Sequence, residues 1–222
     1  APPPAPTAKP AIAGLAIALD EVVAPTLTPT PIPTATSVPP TPIPTPTLTS
    51  SDYFQIAYDY HEAGDYQKAI DNYTEAIRLD PGLGMFYVNR GYTYDSLGEY
   101  QNAINDYTKA IELEPDFVLA YNNRGSDYAD LGQYQRAIED CDKAIELRPN
   151  YALAYINRGI SYRGLGQYQR AIEDYDKTLE LDPNYALAYG NRGLSYHDLG
   201  QYQRAIEDYD KAIDLDPNYA LA

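Results

Sequence analysis

The chain has 222 residues, with 32 acidic side chains against 16 basic ones and a net charge of −16. Such a field repels nucleic acid and anionic lipid and favours basic partners, so it argues against a nucleic-acid-binding role. The single cysteine, Cys141, allows no intrachain disulfide, and no run reaches the ~20 apolar residues that a bilayer span needs.

Composition divides near Thr49. Residues 1–49 carry 14 of the 19 prolines and none of the 24 tyrosines, so the two parts are expected to differ in kind. An apolar run, Ala11 to Leu19, follows Lys9. It has the length of a signal-peptide core, roughly 7–15 residues. No small-residue cleavage site follows it, and Asp20 and Glu21 come next. A targeting or anchoring segment and a weak amphipathic or disordered piece both remain open.

From Pro25 to Thr49 a proline recurs every few residues. Proline removes backbone donors and fixes φ, so neither helix nor sheet forms. The expectation is a disordered, extended spacer of about 3.1 Å per residue. Its threonines permit O-glycosylation. The stretch resembles the Pro/Thr stalks that hold bacterial extracytoplasmic domains off a membrane or wall. An extracytoplasmic or membrane-tethered bacterial setting follows as the expectation, with a cytoplasmic one as the alternative. Membrane contact would be indirect, through the tethered N-terminus.

From residue 50 onward one unit of 34 residues recurs five times, punctuated by Pro81, Pro115, Pro149, Pro183 and Pro217. The units run over about 50–83, 84–117, 118–151, 152–185 and 186–219, and Asn218 to Ala222 copies the start of another. Each unit splits into two helical patterns. In the third, Tyr121, Gly125 and Tyr128 share one face of a helix from about Leu119 to Leu131. Gly132 ends that helix. Tyr134 opens the next, whose apolar stripe is Ala137, Ile138, Cys141, Ala144, Ile145 and Leu147, and Pro149 stops it. A pair of short helices cannot bury its stripe alone, so the units must stack into a solenoid.

The recurring aromatic (Tyr53, Tyr87, Tyr121, Tyr155, Tyr189), the later Tyr (Tyr60, Tyr94, Tyr128, Tyr162, Tyr196), the Leu-Gly step, the small Ala and the closing Pro resemble the tetratricopeptide repeat family. The resemblance implies an all-α fold, a right-handed α-solenoid of antiparallel helix pairs. The pattern departs from the family at Arg90, Arg124, Arg158 and Arg192, where Leu is usual, at Ile56-Ala57, and at Thr178. The arginine row admits two readings. One is a ladder for an acidic ligand; the favoured one is pairing with Asp106, Asp140, Asp174 and Asp208 inside the packing.

The resemblance also implies a concave groove lined by the first helices, one and five places after the first aromatic. Those places hold Phe54, Tyr58, Val88, Tyr92, Asn122, Ser126, Ile156, Ile160, Gly190 and Leu194. The outer rim falls on His61, Glu62, Asp95, Ser96, Ala129, Asp130, Arg163, Gly164, His197 and Asp198. Asn89, Asn123, Asn157 and Asn191 read first as inter-repeat hydrogen bonders that also face the groove. Groove positions vary from unit to unit while packing positions do not. The family's clamp for a C-terminal carboxylate lacks its Lys and Asn here.

The expected function is a protein-interaction scaffold. Its partner would be a peptide or helix with apolar anchors and some basic character. The alternatives are the recognition part of a larger enzyme, or self-association through an uncapped C-terminal end that exposes Ile206, Tyr209 and Ile213. No catalytic, cofactor or metal-ligand constellation stands out, since His61 and His197 fall in the first and last units.

Overall fold

A computed structural model describes residues 48–217. The bulk of the Pro/Thr tail, the apolar run at 11–19 and the copied start at 218–222 lie outside the described residues. These form ten helices: α1 (Ser50–Glu62), α2 (Tyr66–Leu79), α3 (Gly84–Ser96), α4 (Tyr100–Leu113), α5 (Val118–Asp130), α6 (Tyr134–Leu147), α7 (Ala152–Gly164), α8 (Tyr168–Leu181), α9 (Ala186–Asp198) and α10 (Tyr202–Leu215). No strand occurs among them, and no helix is long and apolar enough to cross a membrane. The architecture is the all-α solenoid that the repeat predicts.

The helix boundaries follow local chemistry. Thr49 caps α1: it accepts from the Asp52 N–H, and its own N–H donates back to the Asp52 carboxylate at 2.8 Å. Between the two helices of the third unit, Gly132 adopts φ 71°, a left-handed conformation that costs glycine little. The Gln133 N–H then reaches the Tyr128 carbonyl at 2.7 Å and closes the turn. Between units, the Tyr87, Tyr121 and Tyr155 hydroxyls donate to the Pro81, Pro115 and Pro149 carbonyls at 3.2, 3.3 and 3.0 Å, which pins α3, α5 and α7 to the turns before them.

Within a unit, a small residue faces a large one. Tyr73, Tyr107 and Tyr175 are buried, and Cys141 takes the same place in the third unit. Gly91, Gly125 and Gly159 leave room for Tyr107, Cys141 and Tyr175, and in the first unit Ala57 shares a buried cluster with Tyr73. Thr178 keeps its buried hydroxyl satisfied by donating to the Asp174 carbonyl at 3.0 Å.

Curvature is set by which helices touch. Each helix packs on its chain neighbours, and α1–α3, α3–α5, α5–α7 and α7–α9 are also in contact. Successive second helices are not in contact among the described residues. The first helices therefore line the tighter, concave side.

Candidate functional site

The concave side has a buried floor and an accessible rim. Phe54, Val88, Asn122, Ile156 and Gly190 are buried in the floor. Phe54 stacks on Phe86 of the next first helix with centroids 5.3 Å apart. The Asn157 amide donates to the Asn122 side chain at 3.0 Å. Of the residues one turn further along, Tyr58, Tyr92, Ile160 and Leu194 are half-buried, while Ser126 is buried. What the groove offers a ligand is thus the second set and the rim, with the first set holding adjacent repeats together.

The asparagine row divides. Asn157 bridges two repeats, as the sequence suggests, and Asn123 accepts from Asn122 at 3.1 Å. Asn89 and Asn191 instead donate to carbonyls of their own helices, those of Met85 at 2.8 Å and Leu187 at 2.9 Å. An amide side chain on a helix can turn back one turn to a carbonyl, which removes the need for a neighbour. All four are buried.

At the N-terminal end of the groove, His61 lies between Tyr66 and Tyr92, with centroids 5.3 and 5.0 Å away. Its Nδ1 is 3.0 Å from the Thr93 hydroxyl. That hydroxyl spends its one proton on the Asn89 carbonyl at 2.8 Å. Nδ1 therefore carries the proton and donates, leaving Nε2 as the acceptor in the neutral ring. Burial lowers the His61 pKa, opposed by the nearby Glu62 charge.

In the middle of the groove, Asp95 of α3 and Asp127 and Asp130 of α5 bring carboxylate oxygens within 4.8 Å of one another. This arrangement suits a cationic side chain of a partner, and its ligand set is also of the kind that takes a hard divalent cation. The sequence reading named Asp95 and Asp130 separately and missed Asp127, because only stacking brings two repeats' acids together. Near the C-terminal end, Arg163 pairs across repeats with Asp198, Nε to Oδ2 at 3.0 Å.

The arginine row lies in the packing. Arg90, Arg124, Arg158 and Arg192 each make paired bonds to Asp106, Asp140, Asp174 and Asp208. Cys141 is fully buried, and burial pushes its thiol well above the ordinary range, away from nucleophilic chemistry.

The sequence model of the tetratricopeptide repeat family matches residues 52–83, 85–117, 118–151, 152–185 and 186–219. No curated protein matches the chain. Among solved structures, one described as the crystal structure of MamA is similar at 30% identity and TM-score 0.65, covering 73% of this chain and 95% of that one. MamA from Desulfovibrio magneticus RS-1 shares the fold at 23% identity and TM-score 0.69, covering 76% and 95%. YrrB, described as a TPR protein with an unusual peptide-binding site, is similar at 25% identity and TM-score 0.62, covering 78% and 89%. Five consecutive family matches on ten stacked helices place this chain in the tetratricopeptide repeat family.

Proposed function

We propose that the chain is an interaction scaffold whose concave groove binds an extended or helical segment of a partner protein. The partner inserts apolar side chains beside Tyr58, Tyr92, Ile160 and Leu194 and sets a Lys or Arg against Asp95, Asp127 and Asp130. The observation that carries this reading is the contrast within the groove: a floor that is buried in every repeat beneath accessible positions that differ from repeat to repeat. Half-buried tyrosines and aliphatics give contact area, and the acidic patch gives register and faster association. The peptide-binding description of YrrB supports the same reading by similarity. Membership of the family supports a scaffold role in general.

The test is a peptide-array selection against the full chain, repeated with the Tyr58→Ala/Tyr92→Ala variant. The expected result is a shared apolar-plus-basic motif that the variant loses. A motif retained by the variant, or no motif at all, would overturn groove binding.

A further inference from the structure

The seams between adjacent first helices differ in charge. At the α7–α9 seam, Arg163 donates Nε to Asp198 Oδ2 at 3.0 Å, so the chain supplies its own cation between two repeats. Two repeats earlier, at the α3–α5 seam, the same two places hold Asp95 and Asp130. A carboxylate stands where the later seam has a guanidinium. A third acid joins them: Asp127 is 1% exposed, and other units hold a small hydroxyl in its place. Those hydroxyls, of Thr93, Ser161 and Ser195, donate to their own helices, to the Asn89, Asn157 and Asn191 carbonyls at 2.8, 2.8 and 3.1 Å. The Asp95, Asp127 and Asp130 oxygens lie within 4.8 Å of one another. All three residues sit in the last turns of α3 and α5, where the helix dipoles are negative and neither turn carries a basic residue. Mutual repulsion and both dipoles therefore favour a cation among them.

A second group points to the same place. Tyr107 of α4 has no exposed surface, and no hydrogen bond reaches its hydroxyl among the described residues. Its ring runs past Gly91 of α3, where a Cβ would lie 2.8 Å from Cε1 and 3.2 Å from Cζ, and its hydroxyl comes near Asn123 of α5. Gly91 and Asn123 precede Asp95 and Asp127 by one helical turn each, so the hydroxyl lies beneath the α3–α5 seam, under the carboxylates. Burial raises its pKa, and the Asp127 and Asp95 charges raise it further, which sets the hydroxyl in their field. A buried hydroxyl in this condition marks a place for an ion or its water.

We propose that Asp95, Asp127 and Asp130 bind one hard divalent cation of the calcium class, which ties the second repeat to the third as Arg163 ties the fourth to the fifth. Oxygens on opposite sides of Ca²⁺ are about 4.6–5.2 Å apart, twice the ligand distance, whereas Mg²⁺ draws them to about 4.0–4.2 Å. The spread of up to 4.8 Å accepts calcium without movement of either helix. Asp130 is exposed, so the ion enters from the groove and keeps waters in its remaining positions. One of those waters supplies the partner that the Tyr107 hydroxyl lacks. The ion and a partner's Lys or Arg exclude one another at these carboxylates. Ion binding needs no partner, however, and does not depend on peptide binding in the groove.

The test titrates calcium chloride into the full chain, stripped with EDTA and desalted into about 0.1 M potassium chloride to screen diffuse attraction. Calorimetry reads stoichiometry and affinity, and circular dichroism reads the thermal midpoint. One ion per chain is expected, with Kd on the order of 10⁻⁴–10⁻³ M and a midpoint that rises with calcium. Asp127→Asn and Asp130→Asn each weaken binding by about tenfold or more, since affinity follows the ligand charge. Asp130 is exposed, so its variant keeps the parent helix content even if the buried Asp127 position does not tolerate change. Asp95→Arg, which copies the Arg163–Asp198 seam, abolishes binding and raises the midpoint in EDTA. Glu207→Gln, an exposed acid on α10, leaves the affinity unchanged. No saturation up to ~10 mM, well beyond the weak end of protein calcium sites, overturns the assignment. So does binding that survives both asparagine variants, or an equal response to magnesium, which is the screening expected of a chain with net charge −16.

Discussion

Arg124 and Asp140 meet through two parallel hydrogen bonds, Nε to Oδ2 and Nη2 to Oδ1, both at 2.7 Å. The remaining Nη1 donates to the Thr108 hydroxyl at 3.0 Å, so one guanidinium ties α5 to α6 and to the preceding repeat's α4. The plane of Arg124 also lies 5.7 Å from the Tyr121 ring centroid. Burial works against the charge on Arg124, yet its bonds to Asp140 hold its pKa above the ordinary value. Burial likewise raises the Asp140 carboxyl against the pull of the guanidinium. Both groups are ionised in this geometry, since the paired bonds need a carboxylate with two free acceptors.

A half-buried pair of this kind stabilises little against an apolar substitute, but removing one partner strands the other. Asp140→Ala is expected to cost about 2–4 kcal/mol, read by urea denaturation. The double variant Arg124→Leu/Asp140→Leu is expected to stay within about 1 kcal/mol of the parent. Equal losses in the two variants would show that the pair itself carries the stability.

Gly159 is expected to resist even alanine. A Cβ there would lie 2.6 Å from Cε1 of Tyr175, a side chain with no exposed surface into which it could swing. The helix propensity of alanine would gain about 1 kcal/mol over glycine. Overpacking in a rigid site costs about 1–3 kcal/mol. Gly159→Ala should therefore destabilise, and the loss should shrink in a Tyr175→Cys background, which copies the residue at Cys141. A double-mutant cycle measures that coupling. Additive effects would mean that the helices part rather than clash.

The fold was legible because it is written in periodic residues. Gly132 and its counterparts, the five prolines and the Gly–Tyr exchange each have one local physical meaning, and the ten helices fall where those residues place them. The arginine–aspartate pairing was legible too, because both residues recur beside core positions. The groove was harder. Phe54 and Ile156 vary from unit to unit like ligand residues, yet they are buried where adjacent first helices meet. The degree of curvature decides between those fates, and it arises from summed side-chain volumes that no single motif records. The juxtaposition of Asp95, Asp127 and Asp130 was hidden for the same reason.

His61 gives the groove a dependence on pH. Burial between Tyr66 and Tyr92 lowers its pKa from the ordinary 6.5, so the folded chain favours the neutral ring. The groups facing it are Thr93, the two tyrosine rings and the Glu62 carboxylate, which partly opposes the shift. With the folded pKa below the unfolded one, the contribution to stability is complete above about pH 6.5. It falls as the pH drops from that value through the folded pKa, because the unfolded chain then binds the proton first. A His61→Gln variant is expected to lack this part of the acid-side slope while keeping the rest, which comes from the many carboxylates. Proton NMR checks the cause directly, since only His61 and His197 contribute imidazole signals. The His61 resonance should titrate below 6.5 in the folded chain and return to that value in urea. A His61 midpoint at or above 6.5 in the folded chain would mean that its proton is held by Glu62 rather than opposed by burial.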